Sequence, residues 1–223
     1  MYYPLWLSEI SKPRSLLIVA HPDDETIFAG GLVLSSRHTS WTIICCFDEG
    51  CQKRKDEFLC ACNYFEKHTG NIVEPVFLGI KNYLDEENKQ LLLHKALDIY
   101  ANGYDIVFSH NRQGEYGHED HKLVHRCVTE SINNRNIWLF ISPGSKNVNQ
   151  NTLKSQLPKG NVTLDLSPEI LIMKKEAFCV CHKSQAIIYG YNSISEQLLN
   201  TDLKETLSWY FETPGCEEYT FLY

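Results

Sequence analysis

The sequence predicts an α/β fold: a single Rossmann-like domain over residues 1–223, with a mostly parallel sheet of five or more strands and helices on both faces. Three observations predict it. Short apolar runs rich in β-branched residues alternate with longer segments of helical spacing. The first run, Leu16-Leu17-Ile18-Val19, ends abruptly at Ala20-His21-Pro22-Asp23-Asp24-Glu25. A second cluster of ionisable side chains, Gly114 to His121, follows the fourth run. At 223 residues and 43% hydrophobic, the chain has enough apolar material for one sizeable core.

The elements follow in order. Leu16–Val19 is bounded by Pro13 and Pro22 and reads as a buried strand, and Thr26–Leu34 reads as a helix whose small residues allow close packing on the sheet. Trp41–Phe47 is a second buried strand, and Gln52–His68 places Phe58, Leu59, Cys62 and Phe65 at helical spacing. Ile72–Leu78 is a third strand, and Pro75, which cannot donate to a ladder, puts it near an edge. Leu91–Tyr100 is a helix, Tyr104–Phe108 a fourth strand, and Ser109–Gly117 a loop before a helix that starts close to His118 and runs through Val128. Asn136–Ile141 is a fifth strand, and the alternation in Val162–Leu166 suits a sixth, antiparallel or in an outer hairpin. Ser167-Pro168 is an N-cap and first-turn proline for a helix over about Glu169–Lys183. A last helix over about Glu196–Tyr210 and a final short strand in Glu217–Tyr223 complete the reading. The polar stretch 145–160 reads as an inserted loop.

Composition excludes several function classes. A net charge of −7 and the lack of a basic run argue against nucleic acid as a partner. No apolar stretch approaches the roughly 18 residues of a membrane span, and the N-terminus shows no secretion signal. Nine cysteines, an odd number with no C-x-x-C pair, suit buried free thiols in a reducing cytoplasm better than a disulfide framework or structural zinc site.

The two polar clusters carry the chemistry. In an open parallel sheet, ligands bind where strands end at their carboxyl edge. A histidine and two carboxylates placed there are costly to desolvate unless they hold a metal or move protons. Gly114-Glu115-Tyr116-Gly117-His118-Glu119-Asp120-His121, with His125, lies at another strand-to-helix turn on the same edge. Taken separately, each cluster could be a capped helix start with solvated neighbours. Together they bring residues about a hundred positions apart within reach of one ion.

His21-Pro22-Asp23-Asp24-Glu25 with Gly117-His118-x-Asp120-His121 resembles the PIG-L/LmbE-like family of zinc-dependent de-N-acetylases. Two weaker matches accompany the pair: Arg54-x-x-Glu57, and Lys175 through His182-Lys183-Ser184-Gln185. Glu119 departs from the proline the family often has, at a position that is not a ligand. The resemblance implies that His21, Asp24 and His121 bind Zn2+, although Fe2+ or another divalent metal accepts the same ligand set. It implies Asp23 as general base and His118 as an imidazolium facing the substrate carbonyl. Asp120 is then the carboxylate that orients His118, and Arg54 and Tyr116 are substrate-binding residues. His110 and Asn111 fall close enough to support the site, and His182 suits a packed core as well as it suits the site.

The implied activity is removal of the N-acetyl group from an N-acetylglucosamine-type amino sugar, its conjugate or a glycan. An amidase on a larger amide is the alternative within the same chemistry. A two-metal phosphoesterase would want a bridging carboxylate and more basic contacts than Arg54 and Arg112. A nucleotide-binding module would want a G-x-G-x-x-G loop, which the Gly30-Gly31 pair does not supply. The identity of the conjugate lies in loops 80–90 and 143–160, and neither it nor the oligomeric state is legible.

Overall fold

Leu16 to Val19 carry no polar side chain and are wholly buried, which suits the centre of a sheet and nowhere else. The structure, a computed structural model, describes residues 12–48, 50–132, 136–141, 162–188 and 216–222. In it β1 (Arg14–Val19) pairs in parallel with β2 (Ser40–Asp48) on one side and β4 (Ile106–Ser109) on the other. Leu17 therefore lies between Ile43 and Phe108. The full order is β3 (Val73–Lys81), β2, β1, β4, β5 (Ile137–Ile141), β7 (Cys216–Leu222), β6 (Val162–Asp165). The first five strands are parallel, and β7 runs antiparallel to both β5 and β6. This is the Rossmann-like α/β sheet the alternation predicts, with an antiparallel edge added.

Helices cover both faces. Leu17 and Val19 pack with α1 (Asp24–Ser35), α2 (Gln52–Thr69) and α5 (Pro168–Cys181) through Phe28, Phe58 and Phe178. Leu16 and Ile18 point the other way, onto α3 (Glu86–Tyr100) and α4 (Glu119–Ser131), against Leu93, Leu97, Val124 and Val128. The period-2 alternation of one strand thus divides the core into two layers. A short α6 (Lys183–Ile188) follows α5.

Pro75 lies on β3, which is the edge strand as its missing N–H requires. The third helix begins at Glu86, five residues before its apolar run, because the Asp85 side chain accepts from the Asn88 amide and caps it. The helix expected to continue to Lys183 ends at Cys181, where His182 turns inward. The expectation of free thiols holds for Cys45, Cys46, Cys62 and Cys127, all buried. It fails for Cys60 and Cys181, which form a disulfide between α2 and α5, on helices packed side by side. The loop at 145–160 and the helix at 196–210 lie outside the described residues. No described helix is long and apolar enough to cross a membrane.

Phe58 is wholly enclosed between α2 and the sheet. Phe58→Ala is expected to lower unfolding free energy by about 3–5 kcal/mol in urea titration, the usual cost of emptying such a site.

Candidate metal centre

Because β1 and β4 are neighbours whose chains cross over in opposite directions, the turns that follow them face each other across the sheet's switch point. Two bonds tie them: Ser109 Oγ donates to the Ile18 carbonyl at 3.1 Å, and the Ala20 amide donates to His110 Nε2 at 2.9 Å. The second turn is tight. Gly114 has φ +66°, its carbonyl accepts from the amides of Tyr116, Gly117 and His118, and a Cβ there would lie 2.5 Å from the His118 carbonyl oxygen. Only glycine fits. Glu115 follows in a left-handed conformation at φ 56°, which throws its side chain inward.

Glu115 is buried and its two oxygens are fully used. Oε2 accepts from Nδ1 of His121 at 2.6 Å and from Nδ1 of His110 at 2.8 Å, while Oε1 accepts from the Asn111 amide at 2.8 Å. Burial opposes its charge, but the two imidazoles outweigh it and hold its pKa at about 2. These bonds determine which ring nitrogens carry protons. His121 gives its Nδ1–H to Glu115, which leaves Nε2 as a bare lone pair, buried and without a hydrogen-bond partner among the described residues. Asp24 Oδ2 lies 3.4 Å from it. His21 Nδ1 lies 3.7 Å from the same oxygen, and His21 Nε2 bonds Asp120 Oδ2 at 3.1 Å.

This donor set fits a divalent cation. Two overlapping groups have donor atoms within 4.8 Å of one another: His21, His118 and His121, and Asp24, His110 and His121. Hydrogen bonding distinguishes the histidines. His110 cannot use Nε2, because that lone pair takes the Ala20 N–H. His118 accepts the Asp120 amide at Nδ1, so its Nε2 carries the proton. Asp24 Oδ2 lies 3.4 Å from His121 Nε2 and 3.7 Å from His21 Nδ1, so two imidazoles and a carboxylate stand close together, all three buried. An unsatisfied buried imidazole nitrogen is costly unless something binds it.

Asp23 occupies the N-cap of α1 with φ 122°, strained for a residue with a Cβ, and strain of this kind clusters at functional sites. Burial is the main cause of its raised pKa, about 7, against the Arg54 guanidinium whose Nη2 lies 3.5 Å from Asp23 Oδ2. Arg54, expected to reach substrate, is buried with its guanidinium between Asp23 and Glu57. The Asp120 carboxylate, expected to pair with His118, bonds elsewhere. Asp120 gives Oδ2 to His21 and Oδ1 to Lys89 Nζ at 2.9 Å, and only its backbone amide reaches His118. Without a carboxylate partner, and with burial and the neighbouring His121 and His21 against it, His118 is lowered to about 4. That shift disfavours the imidazolium and favours the neutral ring as a donor. Tyr116 is 42% exposed, with its ring edge-on to those of His118 and His121 at 5.9 and 5.4 Å.

Residues 16–132, more than half the chain, match the family model described as "PIG-L: GlcNAc-PI de-N-acetylase". The chain belongs to the PIG-L family. Among curated relatives it is 29% identical over 145 residues to an uncharacterized protein of Acanthamoeba polyphaga mimivirus, covering 58% of this chain and 62% of that one. It is 26% identical over 126 residues to the N-acetylglucosaminyl-phosphatidylinositol de-N-acetylase of Bos taurus, covering 52% of this chain and 49% of that one. The matched part thus spans about half to three fifths of those relatives. Among solved structures, the zinc-inhibited form of a teicoplanin deacetylase aligns at TM-score 0.63 and 12% identity, over 93% of this chain and 97% of that one. A 4-carboxy-2-hydroxymuconate hydratase of Pseudomonas putida aligns at 0.57 and 14%, over 95% and 96%. At such identities the structural matches show a shared PIG-L-type fold, one that also carries hydratase chemistry.

Sequence reasoning left Glu115 and Lys89 without roles. Glu115 had a signal, since a carboxylate beside a glycine in the second cluster is a natural partner for a ligand histidine. Lys89, on α3, had none. Replacing Glu115 by Gln is expected to weaken Zn2+ binding about 10–100-fold in calorimetric titration, since the amide carries no charge and its NH2 cannot accept the Asn111 amide as Oε1 does.

Proposed function

We propose that the protein is a metal-dependent hydrolase, a single domain working in the cytoplasm. It removes the N-acetyl group from an N-acetylglucosamine-type sugar, free or in a conjugate. The observation that carries this reading is the buried Nε2 of His121, without a hydrogen-bond partner among the described residues, beside Asp24 and His21. PIG-L membership supports the acetamide as substrate. The names of relatives, one acting on a phosphatidylinositol glycolipid and one on teicoplanin, support an amino-sugar conjugate over the free sugar. His21, Asp24 and His121 are the residues to hold the ion, with Zn2+ favoured and Fe2+ compatible.

A divalent cation held there supplies an acidified water and an electrophilic partner for the acetyl carbonyl. The protein does the rest. Asp23 accepts the proton of the attacking water at its carboxylate, and a pKa raised by burial suits it to that transfer near neutral pH. The water oxygen bonds to the carbonyl carbon, and His118 donates its Nε2–H to the carbonyl oxygen as negative charge develops. Asp23 then returns its proton to the nitrogen as the C–N bond breaks, releasing acetate and a free amine. Asp120, anchored by Lys89, fixes the ring of His21 through Nε2. Tyr116, partly exposed beside His118 and His121, is the residue to meet the sugar.

Purified protein is expected to hold about one divalent ion per chain and to release acetate from N-acetylglucosaminyl conjugates. Phosphate release without acetate would overturn the reading, and a preference for longer acyl chains would move it to an amidase. Asp23→Asn is expected to keep the ion but lose about 10²–10⁴-fold in turnover. His121→Ala is expected to lose both, and equal metal loss in the two variants would contradict the separation of roles. The pH profile has a defined sign. Asp23 must be ionised to accept a proton, so turnover falls as pH drops. A bound cation pulls its pKa below about 7, so the acid limb is expected between that value and the ordinary 3.8.

A further inference from the structure

Two stretches have no part in the mechanism above: Glu25 at the end of the first cluster, and the His182 to Ser184 segment where α5 breaks into α6. They meet behind Asp23. Glu25 is wholly buried, with Oε2 accepting from the Asp23 amide at 3.0 Å and Oε1 contacting His182 Nε2 at 2.6 Å and Thr26 Oγ1 at 2.7 Å. On the other side of Asp23, Arg54 lies 3.5 Å from its Oδ2 and 3.8 Å from Glu57 Oε2. Glu57 accepts from both the Ser184 amide, at 2.8 Å, and the Ser184 hydroxyl, at 2.5 Å. Two chains of contacts therefore leave one short segment. One reaches the Asp23 backbone through Glu25, and the other reaches its carboxylate through Glu57 and Arg54.

Stability alone does not account for this arrangement. His182 is fully buried with Nδ1 unbonded among the described residues, so the imidazole carries a desolvation cost that an apolar side chain would avoid. What its Nε2–H does is hold Glu25 in place. Glu25 in turn satisfies the amide of a residue kept at φ 122°, a conformation that persists only where its surroundings impose it. The Cys60–Cys181 disulfide joins α2, which carries Arg54 and Glu57, to the residue just before His182.

We propose that His182 and Ser184 are positioning residues: acting through Glu25 and through the Glu57–Arg54 pair, they clamp Asp23 in its strained conformation from behind. The proposal rests on the reading of Asp23 as the base only for its kinetic consequence; its structural consequence stands alone.

The test compares His182→Met with His182→Gln. The two side chains have nearly the same shape, but only Gln keeps a donor for Glu25. In crystal structures of the zinc-loaded proteins, the Met variant is expected to release Asp23 from φ near +120°, and the Gln variant to retain it. With an N-acetylglucosaminyl conjugate, kcat is expected to fall about 10–100-fold in the Met variant at unchanged KM and metal content, and to recover in the Gln variant. Ser184→Ala, which leaves the amide bond to Glu57, is expected to lower kcat in the same direction by less. A Met variant with Asp23 unmoved and kcat as in wild type would overturn the clamp, as would a Gln variant no better than Met. A wild type that releases no acetate would overturn the functional reading, and the Asp23 backbone in the two variants would still decide the clamp.

Discussion

The structure depends on how a few buried charges are shared between two turns. Glu115 stands at the centre of this. One carboxylate takes N–H bonds from two imidazoles, which turns the far nitrogen of His121 into an unprotonated donor facing Asp24. A buried carboxylate is tolerable when it is this fully bonded, and a bare imidazole nitrogen is tolerable when it has a cation to bind. The acidic and basic groups here are mutually dependent. Removing one leaves another charged and unpaired in a dry interior.

The sheet makes this possible by geometry. Parallel pairing of β1 with β4 sets the His21–Asp24 turn beside the His110–His121 turn, on the edge where both strands end. The apolar residues of β1 are shared between two layers of helices, so the strand has no freedom to shift register. The polar site thus inherits its precision from the apolar core beneath it. Asp23 shows the same economy: its backbone strain is held by Glu25 directly after Asp24 in sequence, and by partners on α2 and after α5.

Much of the site was legible because its residues are local. His21, Asp23 and Asp24 follow a strand directly. His118 and His121 are three apart at a helix start, where the His118 ring caps α4 through the Asp120 amide. Spacing of that kind restricts geometry before any long-range contact forms. The partners were less legible. Asp120 lies two residues from His118 yet gives its carboxylate to His21 and Lys89, which are 99 and 31 positions away. Arg54 is set against Asp23, and the α5 helix breaks at His182, for the same reason: each satisfies a buried carboxylate contributed by a distant segment.

What the sequence determined by itself was the alternation of strands and helices, the edge position required by Pro75, and the two turns with their ionisable side chains. Those follow from periodicity, backbone restriction and neighbour spacing, all properties of a few consecutive residues. Only the tertiary structure decided which nitrogen of each histidine carries its proton, which carboxylate serves which ring, and how Asp23 is held. Those outcomes depend on the loss of water around charged groups, and that loss is known only once distant segments have closed over them.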